Sequence, residues 1–585
     1  MLKFPLTRRR TKHCAIEFSF IMQSYFLWDS FFCGVAISIM SNSEKRNGVN
    51  EFAEMEYMNI TVVTSNEPYG LNDGSNPFFD GRVSPKFRLL PGGVHSGHVQ
   101  AGLRDPFCFV PNGKGKCMDG YTMEVTGSEG VRVLVATKAK PNPNTASKLD
   151  RAFYSNFLEV LNRPEQAGRF NFTSAFPYYK PVLYKADTGN RTLGKPVVLD
   201  MDMSAGDFLA LVYLLKIPPE LIDLKAVIVG ATGWANGATI DTVYDILHMM
   251  GRDDIPVGLG EVFAMNQSDP TTFGVGGCKY AKAIPQGSGG LVDSDNLYGL
   301  AHLLPRSPRR YTAEDSVKFG APRDTDHPEL RQPTALDVWG SIAAKMEPGR
   351  RVAVLANGPL TNVAKIIRSL SNASSVIEEV YVVGGHLKQN NLDRGNIVGE
   401  LNDFREMNMF LDPVAAKEVF ESPLDMVLIP LNVQRKVTSF ATVINKLRRA
   451  ARRTPEAFFC RRLLSTLHQL HNTNFRYQHM GMFMGELLGA VTIGGDPSML
   501  KTTFEIKSLA VIAEGDESRD GLTIARDKQG KGIKILKDID PMAYYTVYAN
   551  RLGDKHQSAK VGSYVEQEEN WRTPPDSSTG SNSGL

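Results

Sequence analysis

The segment Asp200-Met-Asp202-Met-Ser-Ala-Gly-Asp207 puts three carboxylates within eight residues. On a strand, side chains alternate between faces, so Asp200 and Asp202 share one face. Asp207 falls where a helical pattern begins, and a helix N-terminus favours an anion. Any one of these acids could merely cap the helix or bond to backbone. Three together, at the end of a strand, are the oxygen-rich set that a hard cation such as Ca²⁺ or Mg²⁺ requires.

The elements that must hold these acids follow from periodicity. The apolar run 196–202 reads as a strand and 207–216 as a helix. Strand 224–230 then precedes helix 236–250, and strand 352–356 precedes helix 360–370. Strand 379–383, helix 413–420 and strand 426–431 complete the alternation. Continuous apolar strands alternating with amphipathic helices predict an α/β fold, a mostly parallel central sheet with helices on both faces. In such sheets ligands bind outside the carboxyl ends of the strands, which is where Asp202 and Asp207 would lie.

The rest of the chain reads differently. Residues 1–40 predict a helix, 58–64 a strand, 65–117 a long loop, 119–137 a hairpin, 145–162 a helix and 163–194 a linker. Residues 556–585 are polar and predict a disordered tail. An internal repeat links the two ends. Met58 to Glu67 (MNITVVTSNE) resembles Lys507 to Asp516 (KSLAVIAEGD). Asp119-Gly-Tyr-Thr followed by VRVLVATKAK resembles Asp520-Gly-Leu-Thr followed by GIKILKDID. Further upstream, Gly34-Val-Ala-Ile sits like Gly489-Ala-Val-Thr. Residues 1–162 therefore read as the C-terminal part of one domain, and 195–555 as a whole second copy.

Composition narrows the function classes. The 585 residues carry 66 basic and 63 acidic side chains, a net charge of +3. That balance supplies no field for nucleic acid or an acidic membrane. Hydrophobic residues at 42% and charged residues at 22% exclude a mostly disordered chain. No run approaches the roughly 18 consecutive apolar residues of a membrane helix. Arg8, Arg9 and Arg10 before the apolar stretch 14–28 imitate a signal peptide, but Glu17 and Gln23 interrupt it, and a folded helix is the preferred reading. Six cysteines are too few for a disulfide framework. Cys108 and Cys117 flank a turn-rich segment and are either a closed hairpin or free thiols. The sequons at Asn59, Asn171, Asn190, Asn266 and Asn372 lean towards a secretory, extracellular protein. The basic run Lys446, Arg448, Arg449, Arg452, Arg453, Arg461 and Arg462 reads as a solvated helical face.

The acidic segment resembles the DxDPGxDD signature of the inosine–uridine-preferring nucleoside hydrolases. Asn357-Gly-Pro-Leu-Thr-Asn362, Val383-Gly-Gly385, Gly395-Asn396, Glu406-Met-Asn408 and Asp412-Pro-Val-Ala-Ala416 resemble further family motifs, in the same order. The layout is most like the plant extracellular tandem-domain members. The resemblance implies hydrolysis of the N-glycosidic bond of a ribonucleoside, a small-molecule substrate, with Ca²⁺ as cofactor. It implies that Asp202 binds the metal and takes a proton from water, that Asp207 and the backbone carbonyl of Asn357 are further ligands, and that Asp200 supports them. It implies that Asn396, Glu406 and Asn408 hold the ribose, and that the protein forms a homo-oligomer. No nucleic-acid or membrane partner is expected.

The departures are specific. Gly206 stands where the family has an acid, and Met203-Ser204 where it has Pro-Gly. Gln286 falls in a Gly-rich stretch where members often carry His. The late metal-binding acid is not evident in the second copy: the matching helix offers Glu486, whose register reads as wrong. In the first-copy remnant, Trp28-Asp29-Ser30 supplies a late acid, Asp29, without its partner strand. These gaps keep open a ribose-binding or scaffolding domain without turnover. A polyanion-binding protein using the basic run is a third, weaker class.

Overall fold

The computed structural model describes residues 172–575 with gaps, chiefly 231–239, 266–296, 311–332, 398–403 and 474–480. It also describes short stretches before them, of which 52–62 and 130–140 are the longest. Asp29, the 145–162 helix, the Cys108 and Cys117 segment, Gln286 and every sequon but Asn59 lie outside the described residues. Asn59 is exposed on a strand. The chain forms two compact units, Met1–Arg169 with Thr312–Ala321, and Phe170–Tyr311 with Pro322–Leu585.

In the first unit, β1 (Ala53–Val62) lies between β2 (Thr122–Glu124) and β3 (Val131–Ala139), antiparallel to both. The hairpin expected over 119–137 is therefore not formed. Its two arms are each taken by β1, a long-range pairing that local turn chemistry does not reveal. The second unit repeats this arrangement. There β10 (Thr503–Val511) lies between β11 (Thr523–Ala525) and β12 (Gly532–Asp538), again antiparallel. Both long strands shift register near their start, at Glu54/Met55 and at Thr503/Phe504.

The second unit is built on a nine-stranded sheet of order β11-β10-β12-β9-β8-β7-β4-β5-β6. Its parallel part comprises β4 (Lys195–Met201), β5 (Ile222–Val229), β6 (Val257–Leu259), β7 (Val352–Ala356), β8 (Ile377–Val383) and β9 (Asp425–Ile429), with β12 joining β9 in parallel. Helices cover the sheet: α1 (Phe172–Ala175), α2 (Ala205–Lys216), α3 (Ile240–Met249), α4 (Ala335–Lys345), α5 (Thr361–Ser369), α6 (Met407–Leu411), α7 (Pro413–Glu421), α8 (Leu431–Gln434), α9 (Phe440–Ala450), α10 (Pro455–Thr473), α11 (Phe483–Gly494), α12 (Pro541–Leu552) and α13 (Tyr564–Arg572). Successive strands β4, β5 and β6 run outward on one side of β4, while β7 lies on the other. The carboxyl ends of β4 and β7 thus flank the point where strand order reverses, the crevice that open α/β sheets use for ligands.

Burial explains why α2 carries no clear amphipathic stripe. All of its residues are buried, including Lys216. A helix apolar nearly all round belongs inside a large core. Trp339 of α4 lies in one buried apolar cluster with Ile228, Val354, Val382 and Leu428, which line β5, β7, β8 and β9.

Two expectations about the flanks are corrected. The region 172–194, read as a linker, belongs to the second unit: Phe176 is buried and meets Trp571 edge-to-face at 5.3 Å. The tail 556–585, read as disordered, contains α13. Gln567 of that helix is buried, accepts from Arg306 N at 2.8 Å and donates to Arg306 O at 3.0 Å. One aromatic ring and one buried amide anchor this polar helix to partners far away in sequence, so local composition does not reveal it.

Candidate active site

The site starts at the carboxyl end of β4. Asp200 is buried, with Oδ1 accepting from Asn362 Nδ2 at 2.8 Å. The chain then turns sharply, because Met203 adopts φ +65°. That left-handed conformation is strained for a residue with a long side chain and is closed to proline, whose φ is near −65°. The turn lets Ser204 cap α2, with its Oγ accepting from Asp207 N at 3.2 Å. It also brings Asp207 Oδ2 onto Asp202 N at 2.8 Å. Asp207 Oδ1 accepts from Asn357 Nδ2 at 2.8 Å, tying the β4 turn to the end of β7. Gly358 makes this approach possible: a Cβ there would lie 2.9 Å from Asp202 Cβ.

The acid that sequence reasoning set aside is in the site. Glu486 projects from α11, and Ser204 Oγ donates its hydrogen to Glu486 Oε2. The approach depends on glycine. A Cβ on Gly489 would stand 2.5 Å from Val383 Cγ2 and 3.2 Å from Asn357 Oδ1, and one on Gly485 would meet Gln434 at 2.7 Å. With hydrogen atoms there instead, α11 closes onto the ends of β7 and β8 and delivers Glu486. The register that looked wrong in the sequence is set by this packing. The Gly485–Gly489 spacing was the available signal.

A second wall faces the acids. Glu406 caps α6, and its Oε2 accepts from Gly385 N, Asn408 N and Met409 N at 2.9, 3.1 and 3.3 Å. Its Oε1 stands 3.5 Å from Asn396 Nδ2. Asn396 Oδ1 accepts from Met407 N at 2.7 Å. Gly384, at φ +153°, clears room for Glu406: a Cβ there would be 2.9 Å from Oε2. Asn408 behaves otherwise. Its amide hydrogens go to Asn357 O at 2.8 Å and Val383 O at 2.9 Å. It ties β7 to β8 and leaves only its oxygen for a ligand, while the Asn357 carbonyl keeps a second lone pair.

Electrostatics define what this group of acids can hold. Burial first, then the like charges of Asp207 and Glu486, push Asp202 well above the carboxylate range. Burial likewise raises Glu486, with Asp207 and Glu406 adding to it. Asp200 is pushed up to about 7 by burial. Like-charged acids crowded out of water disfavour ionisation unless a cation compensates them. Among the described residues, Asp200 Oδ2 and Asn357 Oδ1 are buried without a hydrogen-bond partner. Among the described residues, no three aspartate, glutamate, histidine or cysteine side chains stand close enough together to hold a metal ion as they are placed. The acids are instead grouped by charge and by the Ser204 link. The donor set, carboxylate oxygens plus the Asn357 carbonyl, fits a hard divalent cation.

The family model described as inosine-uridine preferring nucleoside hydrolase matches residues 197–546, more than half of the chain. Nucleoside hydrolase 3 of Arabidopsis thaliana is 60% identical over 559 residues, covering 94% of this chain and 63% of that protein. The chain thus spans less than two thirds of that relative. Nucleoside hydrolase 4 of Arabidopsis thaliana is 59% identical over 540 residues, covering 92% of this chain and 98% of that protein. A solved plant nucleoside hydrolase, PpNRh1, aligns over 61% of this chain and 98% of its own at 20% identity and a TM-score of 0.41. With its acids gathered at the switch point of the sheet, this chain belongs to the inosine-uridine preferring nucleoside hydrolase family.

Proposed function

We propose that this chain hydrolyses the N-glycosidic bond of a ribonucleoside to ribose and free base, assisted by Ca²⁺. The observation that carries the reading is the convergence of Asp202, Asp207 and Glu486 opposite Glu406 and Asn396. One wall supplies acids for a cation and a water, and the other supplies hydrogen-bonding groups for vicinal hydroxyls. Asp202, Asp207, Glu486 and the Asn357 carbonyl would hold the ion, which when bound lowers the pKa of a nearby water and orients it.

The remaining steps belong to the side chains. Asp202, its backbone held by Asp207, accepts the proton of the attacking water. Glu406 Oε1 accepts from a ribose hydroxyl, and the Asn396 amide donates beside it. Cleavage of a glycosidic bond passes through an oxocarbenium-like state, so the acids surrounding the ribose stabilise the developing positive charge. The alternative of a domain without turnover rested on Gly206 and on a missing late acid; Glu486, bonded to Ser204 beside Asp202 and Asp207, supports turnover against the second of these grounds.

The test is release of free base from inosine and uridine by the purified chain, with and without chelator. Asp202→Ala is expected to lower the rate by about a thousandfold or more while leaving the melting temperature nearly unchanged. Activity that survives both the chelator and Asp202→Ala would sink the reading.

A further inference from the structure

The loop carrying Asn396 is organised by groups outside the acid pocket. Asp393 is its hub. The carboxylate accepts from Gln389 N at 3.2 Å and from Asn432 Nδ2 at 3.0 Å, and it faces Arg435 Nη1 at 3.3 Å and His386 Nε2 at 3.1 Å. His386, buried, donates from Nδ1 to Phe404 O at 2.7 Å, two residues before Glu406. Asn432 bonds both backbone groups of Leu387, at 3.0 and 3.1 Å. One hub thus ties together the strands of loop that lead to Asn396 and to Glu406.

Arg435 is the part that acts on Asn396. Its Nη1 donates to Arg394 O at 2.7 Å and its Nη2 to Gly395 O at 2.8 Å. The Gly395 carbonyl belongs to the same planar peptide as the Asn396 N–H. That N–H donates to Arg405 O at 3.2 Å. The peptide is therefore gripped at both edges, which fixes the Asn396 Cα and the direction of its side chain. No Cβ fits at Gly395, where it would lie 1.7 Å from Arg405 O, so the grip closes tightly. Inside it, Asn396 Oδ1 is bonded to Met407 N, while among the described residues Nδ2 has just the long 3.5 Å approach to Glu406. This amide nitrogen is held in place yet remains available to donate to a ligand.

We propose that Arg435, braced by Asp393, is a positioning residue for nucleoside binding: it aims the Asn396 amide at the ribose hydroxyls. The proposal rests on the nucleoside hydrolase reading above. Ion pairs that are partly exposed contribute little to stability. The effect of Arg435 therefore falls on ligand affinity and leaves the fold intact. Lysine does not replace it, because an ammonium lacks the planar fork that reaches two successive carbonyls.

The experiment uses the full chain with Arg435→Ala, Arg435→Lys and Asp393→Asn. Ribose and Ca²⁺ affinities are read by calorimetry, KM and kcat for inosine by base release, and stability by thermal melting. Both Arg435 variants are expected to weaken ribose binding and raise KM about tenfold, the loss of one or two charge-assisted bonds. Asp393→Asn changes both in the same direction by less. Ca²⁺ affinity stays within about twofold of the parent, and added guanidinium partly restores ribose binding to Arg435→Ala only. Ribose affinity unchanged in all three variants overturns the proposal and leaves the functional reading standing. Loss of Ca²⁺ and ribose binding together with melting temperature also overturns it, because Arg435 would then only maintain the fold. A parent chain that binds no ribose and releases no base overturns the functional reading, and the proposal with it.

Discussion

At the scale of single residues, one hydroxyl links the cap of α2 to an acid on α11. Ser204 caps α2, accepting from Asp207 N at 3.2 Å, and its hydroxyl donates to Glu486. Glu486→Gln keeps the size and the bond to Ser204 but removes a charge. On the proposed function, this is expected to weaken Ca²⁺ binding by about ten- to a hundredfold, with base release falling in parallel. Calorimetric titration checks this; unchanged Ca²⁺ affinity would place Glu486 outside the cation's shell. The acids at 200, 202 and 207 were legible in the sequence because they lie on one strand and one cap. Glu486 was not, because nothing local states how far α11 approaches the sheet.

At the scale of elements, that approach is a property of two glycines. Gly489→Ala sets a methyl group against Val383 and Asn357, which α11 can accommodate only by moving away from the strand ends. Overpacking of this kind costs about 1–3 kcal/mol. The displacement also withdraws Glu486, so activity is expected to fall further than the melting temperature suggests. Paired measurement of kcat/KM and thermal stability checks this, and full activity with lowered stability would refute it. The strands were readable from their apolar runs: 352–356 is β7 to the residue. The pairings were not. β2 and β3 look like a hairpin, and only the partner strand β1, brought between them by the fold, decides otherwise.

At the scale of the whole second unit, buried polar contacts join segments far apart in sequence. Lys216, at the end of α2, pairs with Glu456 of α10 at 2.6 Å, both side chains fully buried. Lys216 also donates to Asp554 O and His556 O, and Glu456 accepts from Ala559 N at 3.2 Å. Lys216→Met leaves a buried carboxylate unpaired and is expected to cost about 3–5 kcal/mol in urea unfolding. Adding Glu456→Leu should recover a large part of that loss; no recovery would mean that the backbone contacts dominate. Asp245 gives a pH test in another part of the unit. Its Oδ1 accepts from Ser307 N at 2.9 Å, yet burial pushes its pKa up to about 7. Between about pH 4 and that value the folded state holds a proton that the unfolded state has released, so stability falls as pH rises. Asp245→Asn should flatten this slope, which unfolding midpoints at either end of the window would show. Parallel slopes in parent and variant would refute the assignment.

By itself the sequence determined the alternation of strands and helices, the repeat and the acids at the end of β4. Each is written in local periodicity or in adjacent residues, and short-range sterics suffice to express it. The tertiary structure decided the rest. It brought Glu486 into the pocket, spent the Asn408 amide on the ends of β7 and β8, and put β1 between two strands that seemed to pair. It also anchored α13 through a ring and an amide. Each of these depends on close packing between elements far apart in the chain, where a methyl group or a single hydrogen bond determines which side chain reaches the site.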